Sequence, residues 1–173
     1  IERPKVIYNA ETRRFVMWFH STDAGHMLAR RGVAVADSVT GPYRFLYSRR
    51  SNPGHWPRNV RPEQKDPESI RLAAAEEEWR FNNGENDKVP KFNILGRDVA
   101  GGQMSRDMTL FQDDDGAAYH IHASEHNSTL HIARLTDDYL DHSGDYIRVF
   151  ENRWMEAPAL FKRADRYYLL MSG

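Results

Sequence analysis

The sequence predicts an all-β fold made of repeated blades, the arrangement of a partial β-propeller, broken once by a loop and helix insertion. Three observations carry this. Short apolar or aromatic segments are bounded by turn residues, an acid–strand–turn–strand unit recurs, and one stretch, residues 50–103, differs in composition from everything around it.

The segments come first. Strands are predicted around Lys5 to Tyr8, Arg14 to His20, Gly32 to Asp37, Met108 to Phe111, Ala118 to Ala123, Thr129 to Leu135, Ala157 to Lys162 and Tyr167 to Met171. Each is short and rich in β-branched or aromatic residues, and several alternate in polarity. The polar clusters Asn9-Ala10-Glu11-Thr12, Asp113-Asp114-Asp115-Gly116 and Arg163-Ala164-Asp165 separate them as hairpin turns. "DDDG" has the opening of a calcium loop but lacks the later bidentate acid, so a turn with Gly116 in the left-handed region explains it better.

The recurring unit is visible in "ERPKVIYNAETRRFVMWFH" from Glu2, "RDMTLFQDDDGAAYHIHAS" from Arg106 and "MEAPALFKRADRYYLLMSG" from Met155. Their acids are Glu2, Asp107 and Glu156. The last two lie 49 residues apart (156 minus 107), a period suited to propeller blades. Glu2 and Asp107 are separated by about one extra blade-length, which is the insertion. Within it, "DPESIRLAAAEEEWRF" predicts a helix with Asp66 as N-cap and Pro67 at the first helical position. Its flanks read as loop.

In a propeller, equivalent positions at the starts of innermost strands converge at one mouth of the central channel. Glu2, Asp107 and Glu156 are therefore expected together, with the hairpin turns near Glu11, Asp114 and Ala164 at the other end. The insertion is expected to return to the acid-lined mouth. Clustered carboxylates repel, so one should hold a proton more tightly while a neighbour stays ionised. Three uses fit such a cluster: glycoside hydrolysis, a hard cation, or structural acids satisfied by backbone amides.

The bulk numbers narrow the partners. With 173 residues and a net charge of −1, no basic footprint points to nucleic acid and no apolar run is long enough to span a bilayer. No cysteine is present, which excludes disulfides and thiolate metal sites. The chain begins on Ile1, directly on a strand-like segment, and is read as a piece of a longer protein.

"ERPKVIYN", "GVAVADSVTGPY", "SRDMTLFQDDDGAAYHIHASE", "LHIARLTDDYL" and "EAPALFKRADRYYLLMSG" resemble family 43 glycoside hydrolases, and within them the exo-β-1,3-galactanase type. The resemblance implies a five-bladed propeller, of which this chain would hold one nearly complete blade, a second, and the start of a third. It implies that Glu156 is the general acid of an inverting mechanism, that Asp107 tunes the acid and orients the sugar, and that Glu2 binds the terminal sugar. The expected substrate is a galactose- or arabinose-containing plant polysaccharide; a non-catalytic carbohydrate-binding propeller is the alternative. The family's usual base lies upstream of Glu2, and the galactanase type uses a group from a later blade. Neither is in the chain, so the isolated chain is expected to be a poor enzyme and the missing blades are its expected partner. The parent protein is expected to be secreted, periplasmic or at the cell surface.

Loop residues complete the expected site. His26, Asn127 and Trp154 should reach the mouth and contact substrate, the last two residues before Glu156. Trp56 and Trp79 also fall in or beside mouth loops. His120 and His122 share one strand face with His126 and His131 just beyond, but without a supporting carboxylate or thiolate neither a metal nor a cofactor is expected. Trp18, Phe111, Tyr119 and Phe161 are expected to pack between blades.

Overall fold

A computed structural model describes residues 1–75 and 92–172. Among these residues ten strands form three antiparallel sheets in sequence order. β1 (Glu2–Asn9), β2 (Arg14–Ser21), β3 (Arg30–Ala36) and β4 (Arg44–Arg49) make the first blade; β5 (Met108–Gln112), β6 (Ala118–Ser124), β7 (Thr129–Leu135) and β8 (His142–Val149) make the second. Among the described residues β9 (Glu156–Arg163) pairs only with β10 (Arg166–Ser172), as the inner hairpin of a third. β1 lies against β5 and β5 against β9, so these are the innermost strands.

The first two blades share one core. Ile7, Val16, Trp18, Val33 and Val35 pack on Met108, Ala118, Leu135 and Tyr139, and the Trp18 indole N–H donates to the Tyr139 carbonyl (3.0 Å). Burying such side chains contributes roughly 1.5–3 kcal/mol each, which makes this interface the main adhesive between blades. Arg31 is buried in the same layer, with its guanidinium over the Trp18 ring and bonded to Asp141 (2.5 Å).

The turns sit as expected. Gly116 has φ +84°, and its N–H donates to the Asp113 carbonyl (3.0 Å) in the β5–β6 hairpin. Lys162 reaches across from β9 to Asp113 (2.8 Å) and Asp114 (2.7 Å), joining the second sheet to the third. The bonds from Lys162 and Tyr167 hold the Asp113 carboxyl down to about 2.

The Phe161 side chain is exposed in this chain and stacks on Tyr168 (5.2 Å between centroids). Among the described residues no further sheet covers that face of the β9–β10 hairpin. Trp18 is fully buried as expected, while Phe111 and Tyr119 are half-buried.

The insertion is pinned at its base, where Ser51 and Gln103 exchange backbone hydrogen bonds (2.8 and 2.6 Å). Residues 55–61 then run along β8: the Arg58 N–H donates to the Tyr146 carbonyl (2.8 Å), and Asn59 bonds both backbone groups of Arg148. This covers a sheet edge that would otherwise expose unpaired backbone groups. Helix α1 (Pro67–Ala75) starts where the sequence places it, with the Asp66 carboxylate accepting from the Ser69 N–H (2.8 Å). A second, short helix α2 (Ile94–Asp98) is capped by Asn93, whose side chain accepts from the Gly96 N–H. Trp79 lies outside the described residues.

Candidate active site

Two of the three acids, Glu2 and Glu156, share one construction. Glu2 opens β1 and Glu156 opens β9, each followed by a residue with positive φ and then a proline: Arg3 at φ +52° before Pro4, and Ala157 at φ +48° before Pro158. A non-glycine residue in the left-handed region is strained, and a following proline disfavours helical conformations further. Both strands carry a register irregularity at this point, which turns the acid out of the pleat.

Asp107 fastens the two bulges together. It stands immediately before β5, between the other two innermost strands, and uses both oxygens. Oδ1 accepts from Arg3 Nε (2.7 Å) and Oδ2 from the Ala157 N–H (3.2 Å). It therefore orients the residue after Glu2 and the residue after Glu156 at once. Its side chain is only 16% exposed.

Two guanidinium groups stand with the carboxylates. Arg3 is held above its ordinary value by its bond to Asp107, with Glu2 and Glu156 adding to the effect. Burial pulls Arg106 down, and the charges of Glu156, Asp107, Asp23 and Glu2 push it back up. Arg106 adjoins Asp107 in the sequence, and nothing in its own pattern distinguishes it from a surface cation.

The loop residues are brought in unequally. Asn127 Nδ2 donates to Glu156 Oε1 at 2.7 Å, so it touches the acid itself. His26 is half-exposed, with Nδ1 3.7 Å from Glu2 Oε2. His20, which the sequence did not single out, is closer to Glu2 (2.9 Å) and almost fully buried. Burial pulls His20 below its ordinary value against the opposing pull of Glu2. Trp154 is half-buried in the loop between β8 and β9, where its N–H donates to the Ser128 carbonyl (3.3 Å). Trp56 has the Lys65 ammonium over its ring (5.5 Å).

The buried histidines form a packed stack. Nitrogens of His120, His122 and His142 lie within 4.8 Å of one another, which is the spacing a metal would need. His120 instead bonds His142 through Nδ1 (3.0 Å) and faces the Met108 sulfur through Nε2 (3.3 Å). The His120 and His122 rings stack at 4.4 Å, and the Trp18 ring lies against His120 and His142. A metal lies in the plane of each ligating ring, and rings stacked face to face do not offer one such point.

Residues 89–173 match the model of glycosyl hydrolases family 43. The chain belongs to that family. Among solved structures it is similar to a GH43 beta-1,3-galactosidase, BT3683, with galactodeoxynojirimycin (TM-score 0.81, 48% identity), covering 99% of this chain and 50% of that one. It is also similar to 1,3Gal43A, an exo-beta-1,3-galactanase from Clostridium thermocellum (TM-score 0.69, 32% identity), over 99% of this chain and 29% of that one. An exo-beta-1,3-galactanase from Phanerochaete chrysosporium with beta-1,3-galactotriose gives a TM-score of 0.64 at 27% identity, again over 99% of this chain and 29% of that one. The chain thus spans half or less of the length of these structures. No curated protein matches it. The two four-stranded blades and the inner hairpin are part of a family 43 β-propeller. Among the described residues no helix is long and apolar enough to cross a membrane.

Proposed function

We propose that the protein is an inverting, exo-acting glycoside hydrolase of galactose-containing plant polysaccharide, with β-1,3-galactan as its substrate. The observation that carries this is the junction at Asp107, which ties the strand starts of Glu2 and Glu156 into one acidic mouth. Galactanases and a galactosidase among its structural relatives support the choice of sugar and linkage.

In this reading Glu156 is the general acid. Its proton passes to the glycosidic oxygen as the C1–O bond breaks, and a water oxygen bonds C1 from the opposite face of the ring. A general base on that face, outside the residues described, takes the proton of the water. Asp107 acts by orientation: its bond to the Ala157 N–H fixes the backbone next to the acid. Glu2 presents a carboxylate oriented by His20, suited to accept hydroxyl protons of the terminal sugar. The remaining blades complete the channel and the substrate site.

The test is incubation of the full-length protein with β-1,3-galactan, following released sugar and its anomeric form. Galactose released first as the α-anomer supports the reading. Tight binding without release would instead identify a carbohydrate-binding propeller.

A further inference from the structure

Asn127 sits in a turn that costs free energy to hold. Glu125, His126 and Asn127 have φ values of +49°, +57° and +72°, three consecutive non-glycine residues in the left-handed region. Each such residue costs on the order of 1 kcal/mol, and strain of this kind persists only where the surroundings over-determine it.

The surroundings here are specific. The Glu125 carboxylate is buried and accepts from Arg148 Nε (2.6 Å), Arg148 Nη2 (2.7 Å) and His131 Nε2 (2.9 Å). Burial alone would raise it, but the bonds from His131 and Arg148 outweigh that and hold the carboxyl down to about 2. Ser128 Oγ donates to the Glu125 carbonyl (2.7 Å), closing the turn. The Ser128 carbonyl accepts from the Arg153 N–H (3.0 Å) and the Trp154 N–H (3.3 Å), which ties the turn to the loop entering β9.

What this arrangement delivers is one amide against Glu156. Asn127 Nδ2 donates to Oε1 at 2.7 Å, while Asn127 Oδ1 is buried with no hydrogen-bond partner among the described residues. A carboxamide carries a donor on one side and an acceptor on the other, and half a turn of its end exchanges them. Because Oδ1 holds no other bond among the described residues, that rotation gives up only the bond to Glu156, which re-forms with the opposite polarity.

We propose that Asn127 is a positioning residue that serves Glu156 in both of its protonation states. Before proton transfer, Oδ1 accepts the O–H of the carboxylic acid and holds its rotamer. After transfer of that proton to the glycosidic oxygen, Nδ2–H donates to the carboxylate. The strained turn fixes the amide, and the Glu125–Arg148–His131 cluster fixes the turn. The inference rests on Glu156 being the general acid.

The experiment compares two substrates in the full-length protein carrying N127G, since glycine accepts the left-handed conformation without strain. General acid catalysis contributes about 10²–10⁴-fold, and only where the leaving group needs a proton. N127G is expected to lower kcat/KM on β-1,3-galactobiose by at least about 10-fold, part of that range, and on a dinitrophenyl β-galactoside by less than about 3-fold. Equal losses on both substrates would show Asn127 holding sugar rather than the acid, and no loss on either would also overturn the proposal. N127D is expected to move the alkaline limb of the kcat profile to higher pH, because a second carboxyl disfavours ionisation of the first; an unmoved limb contradicts it. E156Q separates the two levels. If E156Q still hydrolyses the disaccharide, the assignment of the acid has failed; if it is inactive while N127G behaves as wild type, only the role of Asn127 has.

Discussion

Acidification from pH 7 to pH 5.5 should weaken the fold through its buried histidines. His120, His122 and His142 are held well below the ordinary histidine value of 6.5, first by burial and then by the Arg31 charge and by one another or by His131. In the folded chain they stay neutral. In the unfolded chain each binds a proton as the pH falls through about 6.5, so stability is full above that value and is lost below it. For one such group, the difference between pH 7 and pH 5.5 is about 1.3 kcal/mol, and three give about 4 kcal/mol. His20 and His126, also held low by burial, act in the same direction. Glu125 and Asp141 are depressed carboxylates, whose contribution is lost only as the pH falls below their unfolded values near 4 to 4.5, outside this window. Urea unfolding of the full-length protein at the two pH values measures the effect. With a slope of about 2 kcal/mol per molar, the midpoint of the transition that unfolds these blades should fall by about 2 M. An equal or higher midpoint at pH 5.5 would refute the argument.

Two further substitutions probe the packing. R148M removes two charge-assisted bonds from the buried Glu125 carboxylate and should destabilise by about 3–5 kcal/mol in urea unfolding, since an uncompensated buried charge remains. G32A places a Cβ 2.2 Å from Phe19 Cε2, in a layer where that ring is buried, and should cost about 1–3 kcal/mol by the same measurement.

Much of the fold was legible because propeller blades repeat a local code. Thr129–Leu135 falls where its alternation predicts, and the other innermost and middle strands differ only at their ends. α1 follows from Asp66 and Pro67, whose roles are fixed by neighbours three or fewer residues away. The outer strands β4 and β8 were missed. "RFLYSR" is half-exposed with no clear alternation, and "HSGDYIRV" carries polar residues and Gly144 at φ +89°, so neither has a simple one-faced apolar pattern. Their place is set by the neighbouring strand rather than by their own residues.

The site divides along the same line. The equivalence of Glu2, Asp107 and Glu156 could be read because each is marked by its position before an apolar strand, and Pro4 and Pro158 mark two of those starts. The partners of these acids could not be read. Arg3 meets Asp107 across 104 residues with no local feature announcing the pairing, and the same holds for the separate buried pair of Arg148 and Glu125, 23 residues apart. Asn127 was expected to contact sugar from its position in a mouth loop; its bond to Glu156 depends on three left-handed residues that sequence alone does not reveal.

The most direct test of the central claim is turnover of β-1,3-galactobiose by the full-length protein carrying E156Q, measured beside its affinity for the same disaccharide. Loss of at least about 100-fold in kcat with affinity kept within a few-fold is the predicted result, as removal of a general acid requires. Wild-type turnover by E156Q would contradict the account.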